Sequence, residues 1–305
     1  MKLRLQWTPV AVLCCVVVLI GGGLMACSPA KSTVSRPAST SKGCGPAANF
    51  PDLANAAGAG AGYAKPSVQV SCTENELVVE SNGMISYPFV PMTPNPLRAQ
   101  DFTWKVPRQP ALAAMSTSIV NRLGTLGFSV TGLPIYGPTE GAMPASEAFG
   151  DPNYNGILDT CKGHTGPGSE YHLHAVEQSN ACGFTASPIV GYALDGFPIY
   201  GPNGCLDLSC QQVVTFQSGY ERTGDPKTNV SKAYSYRASS DVKVLDECNG
   251  RIGPDGTYRY YATATFPYTF GCFRGTPTAQ SGGAAAPMPP MGPPGNRGPT
   301  PAPGR

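Results

Sequence analysis

The chain reads as a predominantly β protein, a single globular unit of short strands built from a tandem pseudo-repeat and stapled by disulfides. Three observations predict this. Glycine (37) and proline (32) are abundant among the 305 residues while charged side chains make up only 13%, a composition of turns rather than long helices. Strand-sized runs are short and bounded by turn residues. Two stretches of the chain also repeat one another, element by element and in the same order.

The N-terminus sets the compartment. Lys2 and Arg4 precede an apolar run from Val10 to Ile20, and glycines lead into Leu24-Met25-Ala26-Cys27. This is the layout of a secretory signal, too short for a comfortable spanning helix. Residues 1–26 are expected to be a lipoprotein-type signal peptide and Cys27 the lipidated residue that carries the palmitate. Met25 departs from the favoured residue at its place, and an uncleaved N-terminal anchor is the alternative. Both put the domain at the bacterial cell envelope, outside the cytoplasm, with the membrane as partner. Residues 28–42 are small, polar and proline-bearing, a flexible linker.

The domain is expected over residues 43–274. Strands are expected from Val68 to Val70, Glu76 to Glu80, Asp101 to Val106, Tyr192 to Leu194 and Thr257 to Thr265, and a helix only from Ala111 to Leu123. Residues 275–305 are almost wholly Pro, Gly, Ala and Thr, with too little apolar bulk to offset the entropy of ordering, so a disordered tail is expected. Removing the two basic residues of the signal leaves 19 basic against 19 acidic side chains and no basic run, which excludes a nucleic-acid footprint.

The internal match begins at Gly127-Phe-Ser-Val-Thr-Gly-Leu-Pro-Ile-Tyr-Gly-Pro138, which equals Gly191-Tyr-Ala-Leu-Asp-Gly-Phe-Pro-Ile-Tyr-Gly-Pro202 at seven of twelve positions. It resumes at Leu158-Asp-Thr-Cys-Lys-Gly-His164 against Leu245-Asp-Glu-Cys-Asn-Gly-Arg251 and runs on through Tyr171 and Tyr258 to Ala175 and Ala262. The pseudo-repeats therefore span about 127–182 and 191–272. Their Pro-Ile-Tyr-Gly-Pro elements read as a strand entering a fixed turn; a pocket role for Tyr136 or Tyr200 is the minor reading.

Beyond Cys14 and Cys15 of the signal and Cys27, eight of the 11 cysteines remain, an even number in an oxidising compartment. Eight cysteines allow about 105 pairings. The repeat narrows them, because each copy carries one cysteine in its Leu-Asp-x-Cys element and one after its tyrosine-bearing strand. Cys161–Cys182 and Cys248–Cys272 follow. Cys205–Cys210 closes a local loop, and Cys44–Cys72 remains.

The copies differ most at the histidines. His164, His172 and His174, the only three in the chain, stand against Arg251, Arg259 and Tyr261. One residue separates His172 from His174, so a strand puts both imidazoles on one face, and the turn-rich Thr165-Gly-Pro-Gly168 folds His164 back towards them. Three imidazoles suit copper or zinc. Asp159 and Glu170 are candidates for outer hydrogen bonds that fix a histidine tautomer. A metal-free hydrogen-bonding or general-base role, and two solvated histidines on an edge strand, are the alternatives.

At these residues the chain resembles the YHYH-domain family: Leu158 to His164, then Tyr171-His172-Leu173-His174, with further similar segments from Ser81 to Met84, Gly191 to Pro202 and Phe266 to Gly275. Leu173 replaces the motif's second tyrosine. The resemblance implies an exported or envelope protein and carries no reaction. Three functions stay open: an envelope metal-binding protein, a metal-dependent hydrolase or lyase, and a structural or adhesive module without metal. The enzyme would use Glu170 or Asp195 as base, with Arg251 and Arg259 as anion-binding candidates.

Overall fold

The computed structural model describes residues 43–120, 122–141 and 149–279; the expected signal, Cys27, linker and most of the tail lie outside them. The first strands are β1 (Val68–Cys72), β2 (Glu76–Ser81) and β3 (Phe102–Pro107), then β4 (Thr117–Ser118). Next come β5 (Gly127–Ser129), β6 (Pro134–Ile135), β7 (Gly163–Thr165) and β8 (Tyr171–Leu173). They are followed by β9 (Ile189–Ala193), β10 (Pro198–Tyr200), β11 (Asn203–Cys205) and β12 (Val213–Thr215). The last are β13 (Tyr220–Arg222), β14 (Tyr234–Tyr236), β15 (Gly250–Ile252), β16 (Tyr258–Tyr261) and β17 (Cys272–Phe273). The only α-helix among the described residues is Val230–Ala233, and no helix there is long and apolar enough to cross a membrane.

Strands β1 to β3 form an antiparallel sheet whose alternation buries Leu77, Val79, Phe102, Trp104 and Val106 on one face. Trp104 lies between Phe102 and Phe128, with ring centroids 5.1 and 5.0 Å away, and so joins this sheet to β5. The second sheet has eight strands in the order β15-β16-β10-β9-β5-β6-β8-β7. At its centre β5 and β9 run antiparallel, with Phe128 opposite Tyr192. They approach so closely that a Cβ on Gly127 would stand 2.7 Å from the Tyr192 carbonyl oxygen, and one on Gly191 2.6 Å from that of Phe128. Only glycine serves there.

Outwards from that centre the ladders match. β6 pairs parallel with β8, and β8 antiparallel with β7, His164 opposite His172. On the other side β10 pairs parallel with β16, and β16 antiparallel with β15, Arg251 opposite Arg259. The segments that match in sequence thus occupy equivalent ladders. In each, an aspartate caps the turn before the outer strand: Asp159 accepts from the Cys161 and Gly163 amides and the Tyr171 hydroxyl, Asp246 from Cys248, Gly250 and Tyr258.

The four expected cysteine pairs lie at disulfide distance, with Cα separations of 5.4, 5.4, 4.9 and 4.6 Å in chain order. Two expectations need correction. The segment from Ala111 to Leu123 is not a helix: its described residues are turns and β4, which pairs with β17. Leu112, Met115, Val120 and Leu123 are all exposed and only Ile119 reaches the core, so a helix here would bury too narrow a face to repay ordering, and the Thr117-Ser-Ile-Val120 stretch favours extension. The ordered chain also runs past residue 275, since the Gly275 amide donates to Asp195 and the Thr278 amide to the Leu194 carbonyl.

Candidate metal centre

Strand alternation separates scaffold from site. Tyr171 and Leu173 turn into the main hydrophobic core, while His172 turns to the other face with His164 and His174. All three histidines are buried, at 3% exposure or less. Leucine at position 173 therefore takes no hydroxyl from the histidine face. In the second half the equivalent position is Tyr260, whose hydroxyl donates to Asp195 at 2.6 Å.

The ring nitrogens converge. His164 Nε2 lies 3.0 Å from His172 Nε2 and 3.3 Å from His174 Nε2. A fourth group joins them: Glu140 Oε2 is 2.8 Å from His164 Nε2, 3.1 Å from His174 Nε2 and 4.0 Å from His172 Nε2. The outer nitrogens explain the arrangement. His164 Nδ1 meets the Ile157 carbonyl at 3.0 Å and His174 Nδ1 the Gly137 carbonyl at 2.7 Å. A carbonyl oxygen only accepts, so both Nδ1 atoms carry hydrogen, and in the neutral form of each ring this leaves the Nε2 lone pair facing inwards. Glu140 Oε2 has no hydrogen-bond donor there. Lone pairs and a carboxylate do not gather at 3 Å without a cation. One proton relieves one of these contacts, whereas a metal ion relieves all of them.

The edges also fit. Tetrahedral zinc with bonds of about 2.0–2.1 Å implies ligand–ligand edges of roughly 3.3–3.4 Å. The observed contacts scatter around that value.

His172 is held from behind. Tyr136 stacks on its ring at 3.9 Å between centroids and 11° between planes, and donates its hydroxyl to Glu170 Oε1. Glu170 Oε1 stands 3.8 Å from His172 Nδ1, too far for a hydrogen bond and on the side away from the Nε2 cluster. Burial drives the His172 imidazole down to about 3. This shift means that the unfolded chain binds more protons than the folded one between about pH 3 and the ordinary 6.5 of histidine. Metal-free protein should therefore lose stability as pH falls below about 6.5. Urea midpoints between pH 7.5 and 4 should drop for the native chain and drop less for His172→Gln; equal slopes would contradict a neutral, buried His172.

The structure brings together His164, His172 and His174, with Glu170 behind them. It leaves Asp195 in the second half, accepting from Tyr260 and from the Phe197 and Gly275 amides. Asp159 makes no hydrogen bond to an imidazole; it is spent on the turn cap and Tyr171. Arg251 donates to the Val242 and Ile252 carbonyls, and Arg259 pairs with Asp255 over the Tyr200 ring, so both guanidiniums have internal partners.

A family model described as YHYH protein matches residues 103–275, more than half of the chain. The chain belongs to the YHYH family. No curated protein and no solved structure matches it. In this YHYH protein the matched span holds all four converging groups. Glu140 is the one that sequence reading missed. Carrying the internal match two residues past Pro138 sets Glu140 against Gly204, a fourth difference between the matching segments. A side chain at Gly204 would collide with the Phe216 and Tyr261 rings, so the second half has no room for a carboxylate.

Proposed function

We propose that this protein is an exported, lipid-anchored envelope protein that binds one divalent transition-metal ion, zinc, through His164, His172, His174 and Glu140. The observation that carries the reading is the convergence of three Nε2 atoms on the half-buried Glu140 carboxylate, with the outer nitrogens of His164 and His174 tied to backbone carbonyls. The donor set supports zinc over Cu(I), which selects thiolates and thioethers. Four protein ligands make a closed sphere, the mark of a resident rather than a hydrolytic ion. Neither Glu170 nor Asp195 supports the enzyme reading, since one stands behind His172 and the other in the second half.

Elemental analysis of tag-free protein purified from the envelope tests this. About one zinc per chain is expected, and a chain that stays substoichiometric after reconstitution refutes the reading. Stoichiometric copper that resists exchange would refute the zinc assignment alone. The Glu140→Gln variant should keep the histidines but lose about 100-fold or more in zinc affinity by competition titration, a quarter of the roughly 10–16 kcal/mol of a four-ligand site. Anchoring is tested separately: labelled palmitate should enter the native chain and not Cys27→Ser, and equal labelling of the two would sink it.

A further inference from the structure

Away from the histidines, a cleft of about 760 Å³ opens between the two halves, within the size range of ligand sites. Its floor is apolar and buried, formed by Ala175, Phe216, Ala262 and Tyr268. Its walls are not. Four carboxamides (Asn153, Gln178, Asn203 and Gln217) face it together with four hydroxyl-bearing residues, Thr215, Ser218, Thr263 and Thr265. The side chains of Gln217, Thr265 and Glu177 make no hydrogen bond to other described residues. Two charges reach the cleft, Lys162 and Glu177, and they offset one another. Lys162 rests on Asn153 Oδ1 at 3.4 Å. Its backbone is left-handed at φ 69°, a region that favours glycine or asparagine, and the matching position in the second half is Asn249 at φ 63°. There the asparagine turns inwards to Tyr261, Thr263 and Thr269, whereas Lys162 points its amine to the cleft.

The chemistry of the wall selects the ligand. An apolar molecule would strip water from the carboxamides without replacing their hydrogen bonds. An anion would meet one cation already balanced by Glu177. Carboxamides and hydroxyls each donate and accept, so they match a ligand whose own groups do both. Sugar hydroxyls do so, and the C–H face of a pyranose suits a floor of alanine and aromatic carbon. We propose that this cleft binds a neutral carbohydrate. The inference is independent of the metal reading, because none of the four converging groups lines the cleft.

Calorimetric titration of the full mature chain with neutral trisaccharides of glucose, mannose, galactose and N-acetylglucosamine tests it. At least one should bind saturably at one site. Gln217→Ala should weaken that binding about fivefold, the worth of one neutral hydrogen bond. Ala264→Trp, at an exposed wall position, should abolish it by filling the space. Both variants should keep the native metal content and melting temperature. The proposal is overturned if no trisaccharide saturates, if binding survives both substitutions, or if only uronic-acid oligomers bind.

Discussion

Replacing His172 and His174 together with glutamine should abolish stoichiometric metal uptake while leaving a folded, disulfide-linked domain. Four-ligand zinc sites are worth roughly 10–16 kcal/mol in small domains, so losing half of the ligands should weaken binding by about 10⁴-fold or more. The fold should survive for a reason internal to the chain. At the equivalent ladder positions of the second half stand Arg259 and Tyr261, and that half keeps the same pairing, cap and cysteine pair without a histidine. Glutamine also roughly retains the volume over Tyr136, so no large cavity opens. Elemental analysis and circular dichroism on the same sample separate the outcomes. A variant that retains metal shows that these rings are not its ligands. A variant that unfolds with its cysteines still paired shows that the histidines hold the fold.

Why the sequence revealed this site, and where it stopped, follows from the range of the interactions. The His-x-His spacing is local, and strand alternation alone put both rings on the face opposite Tyr171 and Leu173. Two of the four cysteine pairs were legible because each matching segment carries its own two; Cys205–Cys210 was legible as a local loop and Cys44–Cys72 as the remainder. Glu140 was not, because a carboxylate 24 residues before His164 gives no periodic signal. Only the contrast with Gly204 marks it, and that contrast gains meaning once the Phe216 and Tyr261 rings are seen to fill the matching space. Asp195 misled for a similar reason. Nothing in Gly-Tyr-Ala-Leu-Asp-Gly tells which network the carboxylate enters, and it enters the one built on Tyr260. The segment from Ala111 to Leu123 shows propensity overridden: its apolar residues have a tolerable helical spacing, but of its large ones only Ile119 finds a surface to bury against.

The paired caps supply the second large effect. Asp159→Ala should destabilise the protein by about 3–5 kcal/mol, because it leaves the Cys161 and Gly163 amides and the Tyr171 hydroxyl without an acceptor, at about 1–3 kcal/mol for each buried group. If Tyr171 turned its hydrogen to Tyr87, the Tyr87 hydroxyl, which now donates to it, would lose its own acceptor instead. Asp246→Ala removes the same three bonds around Cys248, Gly250 and Tyr258 and should cost a similar amount. The two variants should part company at the metal. Asp159 fixes the turn that delivers Gly163 and His164 to β7, and the Lys162 carbonyl in that turn accepts the His174 amide. Loosening it spreads the Nε2 atoms, so Asp159→Ala should also lose about 10–100-fold in zinc affinity, the scale of removing an outer support. Asp246 caps a turn that delivers Arg251, and its loss should leave zinc affinity of the folded protein within about twofold of native, since groups that share no partners act independently. Denaturant melts and zinc competition titrations on both variants measure the two quantities apart. Equal losses of affinity would mean that the ion reports on the whole fold, and that the first half holds no separate site.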